Sequence, residues 1–259
     1  MRLFALPRLM SSATPSIPSP APRFHIDAPV RLHATIVLDA ATTRHVQALR
    51  LRRGDQIVLF NGDGHESIAE LIEIAKRGAV VQVRSETAID RESPLRIILA
   101  QGICAAERMD LVIQKATELG VHRIIPVITS RTVIRLSEER QERRETHWQN
   151  VAIAACEQSG RNRIPEVSPS VRFDAFIAGV PEAELRIACS PTGDERLRTL
   201  PVASSVLVFI GPEGGIAKDE RELLSDRQFR FVRFGPRVLR TETAPLAMLA
   251  TLQALWGDC

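Results

Sequence analysis

Two different hydrophobic rhythms divide the chain. Between Arg23 and Asp90, short apolar runs rich in β-branched residues alternate with polar turns: Val30 to Leu38, Asp55 to Phe60, Ser67 to Ile74 and Ala79 to Val83. Asn61-Gly62-Asp63-Gly64 separates two of these runs, and Arg77-Gly78 marks another turn. Runs of this length with such punctuation predict strands, and here a small antiparallel barrel or sandwich. From Leu95 the rhythm changes. LRIILAQ (95–101) reads as a buried strand, ERMDLVIQKATELG (107–120) as a helix and HRIIPVIT (122–129) as a second strand. In the helix, Met109, Val112, Ile113, Ala116 and Leu119 recur at helical spacing, and Gly120 stands where a terminating glycine belongs. A long helix follows, with Ser137 as its predicted N-cap and Trp148, Val151, Ala155 and Cys156 as its apolar stripe; it ends near Ser159-Gly160. Further strands are predicted at 185–189, 206–210 and 229–234, and helices at 218–225 and 244–256. Strands alternating with helices predict an α/β domain around a mostly parallel sheet.

The 259 residues therefore divide into an extension (1–21), a β-rich domain (22–90), a short linker with Pro94, and an α/β domain (95–259). Residues 1–21 lack acids and are rich in Ser and Pro, which predicts a disordered extension or a start codon assigned too early. Arg8 and the prolines that follow make a poor secretory segment. No run of about 18 apolar residues is present, so no membrane partner is expected. Cys104, Cys156, Cys189 and Cys259 are widely separated, without metal-ligand spacing. We expect neither a disulfide framework nor a metal site, and a reducing cytoplasmic setting. Net charge is only +3, and Arg2 and Arg8 supply two of those charges. A nucleic-acid partner must therefore be argued from local clusters.

Candidate chemistry concentrates in two loops. IGPEGGI (210–216) leaves an apolar strand and enters a helix, and Gly211, Pro212, Gly214 and Gly215 exceed what a tight turn needs. Glycines permit close backbone approach to a ligand, and the following helix offers free N–H groups. The string is neither GxGxxG nor a P-loop, so a Rossmann dinucleotide site or a triphosphate site is disfavoured. FGPRVLRTETAP (234–245) has the same strand-to-helix setting, with Thr243 as predicted N-cap and Pro245 in the first turn. Ligands of open α/β sheets bind beyond the carboxyl ends of the strands, where both loops would lie. Two clusters leave alternatives open. RHVQALRLRRGD (44–55) is a solvated turn or a phosphate patch through Arg50, Arg52 and Arg53; EQSGRNRIPE (157–166) is a basic helix end or an RNA contact through Gln158, Arg161, Asn162 and Arg163.

The strings PRFHI (22–26), RLRRGDQIVLFNGDG (50–64), ERMDLVIQKATELGV (107–121), ACEQSGRNRIPEV (155–167), IGPEGGI (210–216) and FGPRVLRTETAPLA (234–247) resemble the RsmE family of ribosomal RNA methyltransferases, which methylate uracil N3 in small-subunit rRNA. The resemblance spans residues 22–259. It implies an N-terminal PUA-like β-barrel and a C-terminal SPOUT α/β domain, trefoil-knotted around a mostly parallel sheet. It also implies a homodimer, S-adenosyl-L-methionine as methyl donor and 16S rRNA in the small ribosomal subunit as partner. Carried onto this chain, the donor site comprises Ile210, Gly211, Pro212, Glu213, Gly214 and Gly215, then Phe234, Gly235, Val238, Leu239, Arg240 and Thr241, with Ser190 as a third wall. Arg240 and Glu242 are the candidate catalytic residues, and RNA contacts are expected from Arg23 and the two clusters above. Alternatives are a SPOUT enzyme acting on another base or a ribose, and a non-catalytic ribosome assembly factor.

Overall fold

The computed structural model describes residues 21–75, 78–132 and 138–259. The extension up to residue 20, Arg77 of the second turn and the Ser137 cap lie outside the described residues.

The first sheet is built from β1 (Arg23–His25), β2 (Thr35–Val37), β3 (Gln56–Phe60), β4 (His65–Ala75) and β5 (Gly78–Ala88), in the order β1-β3-β4-β5-β2. β3, β4, β5 and β2 pair antiparallel, but β1 runs parallel to β3, so the expected all-antiparallel arrangement is corrected to a mixed one. A parallel neighbour needs a long crossover, and β2 and a helix, α1 (Ala40–Ala48), lie within it. The strand expected from Val30 shrinks to three residues. α1 was missed by the periodicity: Asp39 caps it by accepting from the Thr42 N–H, and only Thr43 and Val46 are buried. β4 alternates cleanly, burying Ser67, Ala69 and Leu71.

The second domain runs β6 (Arg96–Gly102), α2 (Ala106–Glu118), β7 (Arg123–Ile128), α3 (Glu138–Ser159), β8 (Glu166–Val167), β9 (Val171–Arg172), α4 (Phe173–Ala178), β10 (Leu185–Cys189), β11 (Ser205–Ile210), α5 (Lys218–Asp226), β12 (Arg230–Val232) and α6 (Thr243–Trp256). The strands order as β12-β10-β11-β6-β7-β8, with β9 also on β7, and every pairing is parallel. Such a sheet must be covered on both faces, and the alternation along the central strands provides this. Ile97 and Leu99 of β6, with Val206 and Val208 of β11, pack toward α2 and α6. Ile98, Ala100, Leu207 and Phe209 face the opposite layer with Phe173, Phe176 and Leu224. Gly120 follows α2 at φ +77, the left-handed conformation expected of a terminating glycine. Glu242, not Thr243, occupies the cap position of α6, in helical conformation and without a side-chain cap bond.

Candidate active site

The carboxyl ends of β10, β11 and β12 open into a cleft of about 560 Å³. Its walls come from three segments, Cys189 to Thr192, Ile210 to Ile216, and Phe234 to Thr241 with Ala244, together with the side chains of Arg108, Arg131 and Arg221. Ser190, Ile210, Gly211, Pro212, Glu213, Gly215, Phe234, Val238, Leu239, Arg240 and Thr241 all line it, so the structure brings most of the expected donor residues together. Gly214 and Gly235 instead shape the loops. Gly235 holds φ +72; a Cβ on Gly214 would come within 3.0 Å of Arg131 Cβ.

Buried polar contacts fix these loops. Thr241 donates its hydroxyl to the Gly211 carbonyl at 2.8 Å, and Gln101 donates to Thr241 Oγ1 at 3.3 Å. The loop also presses on β6: a Cβ at Gly102 would lie 2.6 Å from the Pro212 nitrogen. Only glycine allows so close an approach. Glu213 caps α2 from outside, accepting from the Ala105 N–H and from Arg108, each at 3.0 Å. Partial burial pushes the Glu213 carboxyl up, but the Ala105 N–H and Arg108 outweigh it and hold it below its ordinary value. Ser190 is buried and accepts from Arg221 at 3.0 Å, whose guanidinium lies 3.8 Å from the Phe231 ring centroid. Glu242 sits between Arg108, at 3.8 Å, and Arg240, at 4.0 Å, with its Oε2 buried and without a hydrogen-bond partner. Glycine-lined backbone, apolar side chains from Ile210, Phe234, Val238 and Leu239, and the hydroxyls of Ser190, Thr192 and Thr241 suit a small ligand with both apolar and polar parts. Among the described residues, no group of three or more His, Cys, Asp or Glu side chains could hold a metal.

Residues 91–253 match the RNA methyltransferase domain family, and residues 38–84 match the RNA methyltransferase PUA domain family. The chain is 32% identical over 226 residues to ribosomal RNA small subunit methyltransferase E of Bacillus subtilis, covering 82% of this chain and 88% of that protein. This chain is a member of the ribosomal RNA small subunit methyltransferase E family. The methyltransferase E of Buchnera aphidicola from Schizaphis graminum is 31% identical over 92% of this chain and 97% of its own. A Neisseria gonorrhoeae methyltransferase E, solved bound to S-adenosyl methionine, superposes with a TM-score of 0.86 at 37% identity, covering 92% of this chain and 99% of that one. A Legionella pneumophila structure with the bound cofactor SAM gives a TM-score of 0.90 at 37% identity, covering 93% and 100%.

In this chain the residues expected to contact RNA do not share one surface. Arg50, Arg52 and Arg53 are exposed after α1, and Gln158 and Arg163 are exposed at the end of α3. Arg23, Arg161 and Asn162 are buried, 7%, 5% and 1% exposed, and the expectation that they face RNA is corrected. Arg161 forms a fork with both oxygens of Glu92 and donates to the carbonyls of Thr117 and Val121 at 2.9 and 3.0 Å. Arg23 donates to Glu66 at 2.7 Å and to Asn162 at 2.6 Å, and Arg91 reaches the same Glu66 at 2.8 Å. Burial pushes the Glu66 carboxyl up, but Arg91 and Arg23 outweigh it and hold it low. Asn61 to Gly64, expected only as a turn, packs here too: a Cβ on Gly64 would meet the Arg163 guanidinium at 2.8 Å. The Arg23-to-Asn162 bond joins the two domains directly, and the Arg91–Glu66 and Arg161–Glu92 pairs tie the linker to each of them. Sequence reasoning missed Glu66, Arg91 and Glu92 as partners, and Gly102, Arg108, Arg131 and Arg221 around the cleft. A glycine directly after an apolar strand was the one usable signal, at Gly102.

Proposed function

We propose that this chain transfers a methyl group from S-adenosylmethionine to N3 of a specific uridine in 16S rRNA, within the small ribosomal subunit. The observation carrying this reading is the convergence of two glycine-bearing loops and the Ser190 turn on one cleft. When bound there, the donor supplies an electrophilic methyl group on a positively charged sulfur. The chain's own residues do the rest. Backbone from Gly211 to Gly215 and from Gly235 to Thr241 binds and orients the donor. The apolar wall excludes water. Arg240, at the mouth, stabilises negative charge developing on the uracil carbonyls, and Glu242 orients Arg240 or accepts the N3 proton. The target base must be unpaired to present its Watson–Crick edge. A knotted path for the C-terminal segment is part of this reading, and the Thr241-to-Gly211 bond holds that segment against the glycine loop. So is a cytoplasmic homodimer, for which the half-exposed Leu111 of α2 and Leu255 of α6 offer apolar surface.

The test is methylation of small ribosomal subunits with labelled donor, followed by nucleoside analysis, on wild type and Gly214→Val. Label in 3-methyluridine, lost in the variant, is the expected result. Label in another nucleoside, or none, overturns the reading.

A further inference from the structure

The cleft that the proposed function assigns to a cationic donor is itself ringed by cations. Arg108, Arg131, Arg221, Arg237 and Arg240 line it against a single lining carboxylate, Glu213. Four guanidinium charges are left over, and Glu242, touching Arg108 and Arg240, reduces them to three. S-adenosylmethionine carries a sulfonium and an ammonium against one carboxylate, so it cannot neutralise this ring and is repelled by it. Three of the arginines are tied down by Glu213, by the Gly214 carbonyl and by Ser190 with Phe231. The other two are presented outward. Arg240 is 79% exposed. Arg237 is exposed and makes no hydrogen bond or ion pair among the described residues. Val238, between them, is 76% exposed, an apolar side chain held in water beside two outward-facing guanidinium groups, of which Arg240 keeps only a 4.0 Å contact with Glu242. Arginine forks match phosphate oxygens, and an apolar patch beside them suits an unstacked base.

We propose that this arginine mouth is the contact surface for the RNA backbone, and that it makes donor and RNA bind cooperatively. The proposal rests on the donor-site reading above. RNA phosphates cancel the excess charge that opposes the sulfonium, and by reciprocity a bound donor strengthens RNA binding by the same factor. Product carries a neutral sulfur, so S-adenosylhomocysteine feels less of the repulsion.

The experiment is calorimetric titration with S-adenosylmethionine and S-adenosylhomocysteine at about 30 and about 300 mM salt, on wild type and Arg237→Gln. It is paired with filter binding of a 16S rRNA transcript across the same salt range. In wild type, donor affinity should rise about threefold or more with salt, because screening removes repulsion, while the product changes less. Arg237→Gln should bind the donor more tightly at low salt and reduce the slope of log affinity for RNA against log salt by about 0.7. Donor affinity that falls or stays flat with salt, or an unchanged RNA slope in both Arg237→Gln and Arg240→Gln, overturns the proposal. Failure of folded wild type to bind either ligand at any salt overturns the donor-site reading itself, and this proposal with it. Both side chains are solvent-exposed, so a matching thermal midpoint checks that the variants fold.

Discussion

Arg161→Ala separates a buried clamp from an RNA contact. The guanidinium donates four hydrogen bonds, two to Glu92 and one each to the Thr117 and Val121 carbonyls. Truncation leaves Glu92, whose side chain is only 19% exposed, without its counter-charge, and strands the Val121 carbonyl just beyond α2, while the Thr117 carbonyl keeps the Gly120 N–H at 3.1 Å. Removing one partner of a buried ion pair costs about 3–5 kcal/mol. The stranded carbonyl adds ~1 kcal/mol or more, part of it already counted in the first figure. Glu92 keeps some water, so we expect a total of about 3–5 kcal/mol rather than more. At about 2–4 °C per kcal/mol for a domain of this size, the thermal midpoint falls by roughly 6–20 °C. Differential scanning calorimetry measures it. Arg161→Lys keeps the charge but loses the fork and should fall in between. A midpoint within about 2 °C of wild type, together with a reduced salt slope for RNA binding, refutes the clamp and reinstates Arg161 as an RNA contact.

Gly102→Ala places a Cβ 2.6 Å from the Pro212 nitrogen, so the glycine loop must move; donor affinity by calorimetry should drop at least about tenfold, and wild-type affinity would contradict the packing. Glu213 is held below its ordinary value, so its contribution to stability is present above about pH 4.3 and lost as pH falls through the lowered value. Thermal midpoints between pH 7 and 3.5 should therefore fall more steeply for wild type than for Glu213→Gln, and parallel curves would count against this. Burial raises the Cys104 and Cys156 thiols to about 12 and Cys189 to about 11, while Cys259 is exposed. A thiol reagent at pH 8 should label Cys259 quickly, Cys189 at the cleft wall slowly, and Cys104 and Cys156 only on unfolding; rapid labelling of Cys104 or Cys156 would refute their burial.

What was readable in the chain follows from what is local. The strand-and-helix rhythm of 95–128 and the Gly120 stop are properties of neighbouring residues, and the structure reproduces them. The loops around Gly211 and Gly235 were legible because glycines and strand ends announce themselves. The short helices were not: α1 buries two side chains and α4 is six residues long, too few for a period to emerge. The Arg161 reading failed for a different reason. A dense set of donors looks the same whether its acceptors are phosphates or buried carboxylates, and its partner Glu92 lies 69 residues away. Arg221 was invisible likewise, since the residues that place it, Ser190 and Phe231, come from two other strand ends.

The central pairing of β6 with β11 has a consequence for how the chain is made. Arg96 pairs with Ser205, so β6 leaves the ribosome more than a hundred residues before its neighbour. At about 5–20 residues per second, one edge of an apolar strand stays open for roughly 5–20 s, with only β7 able to close the other side. Non-local parallel pairing is slow for the same reason. The nascent polypeptide passes through a long interval in which this apolar edge is a template for aggregation, and production of this protein should be sensitive to translation speed and to chaperone supply in a way its finished stability does not reveal.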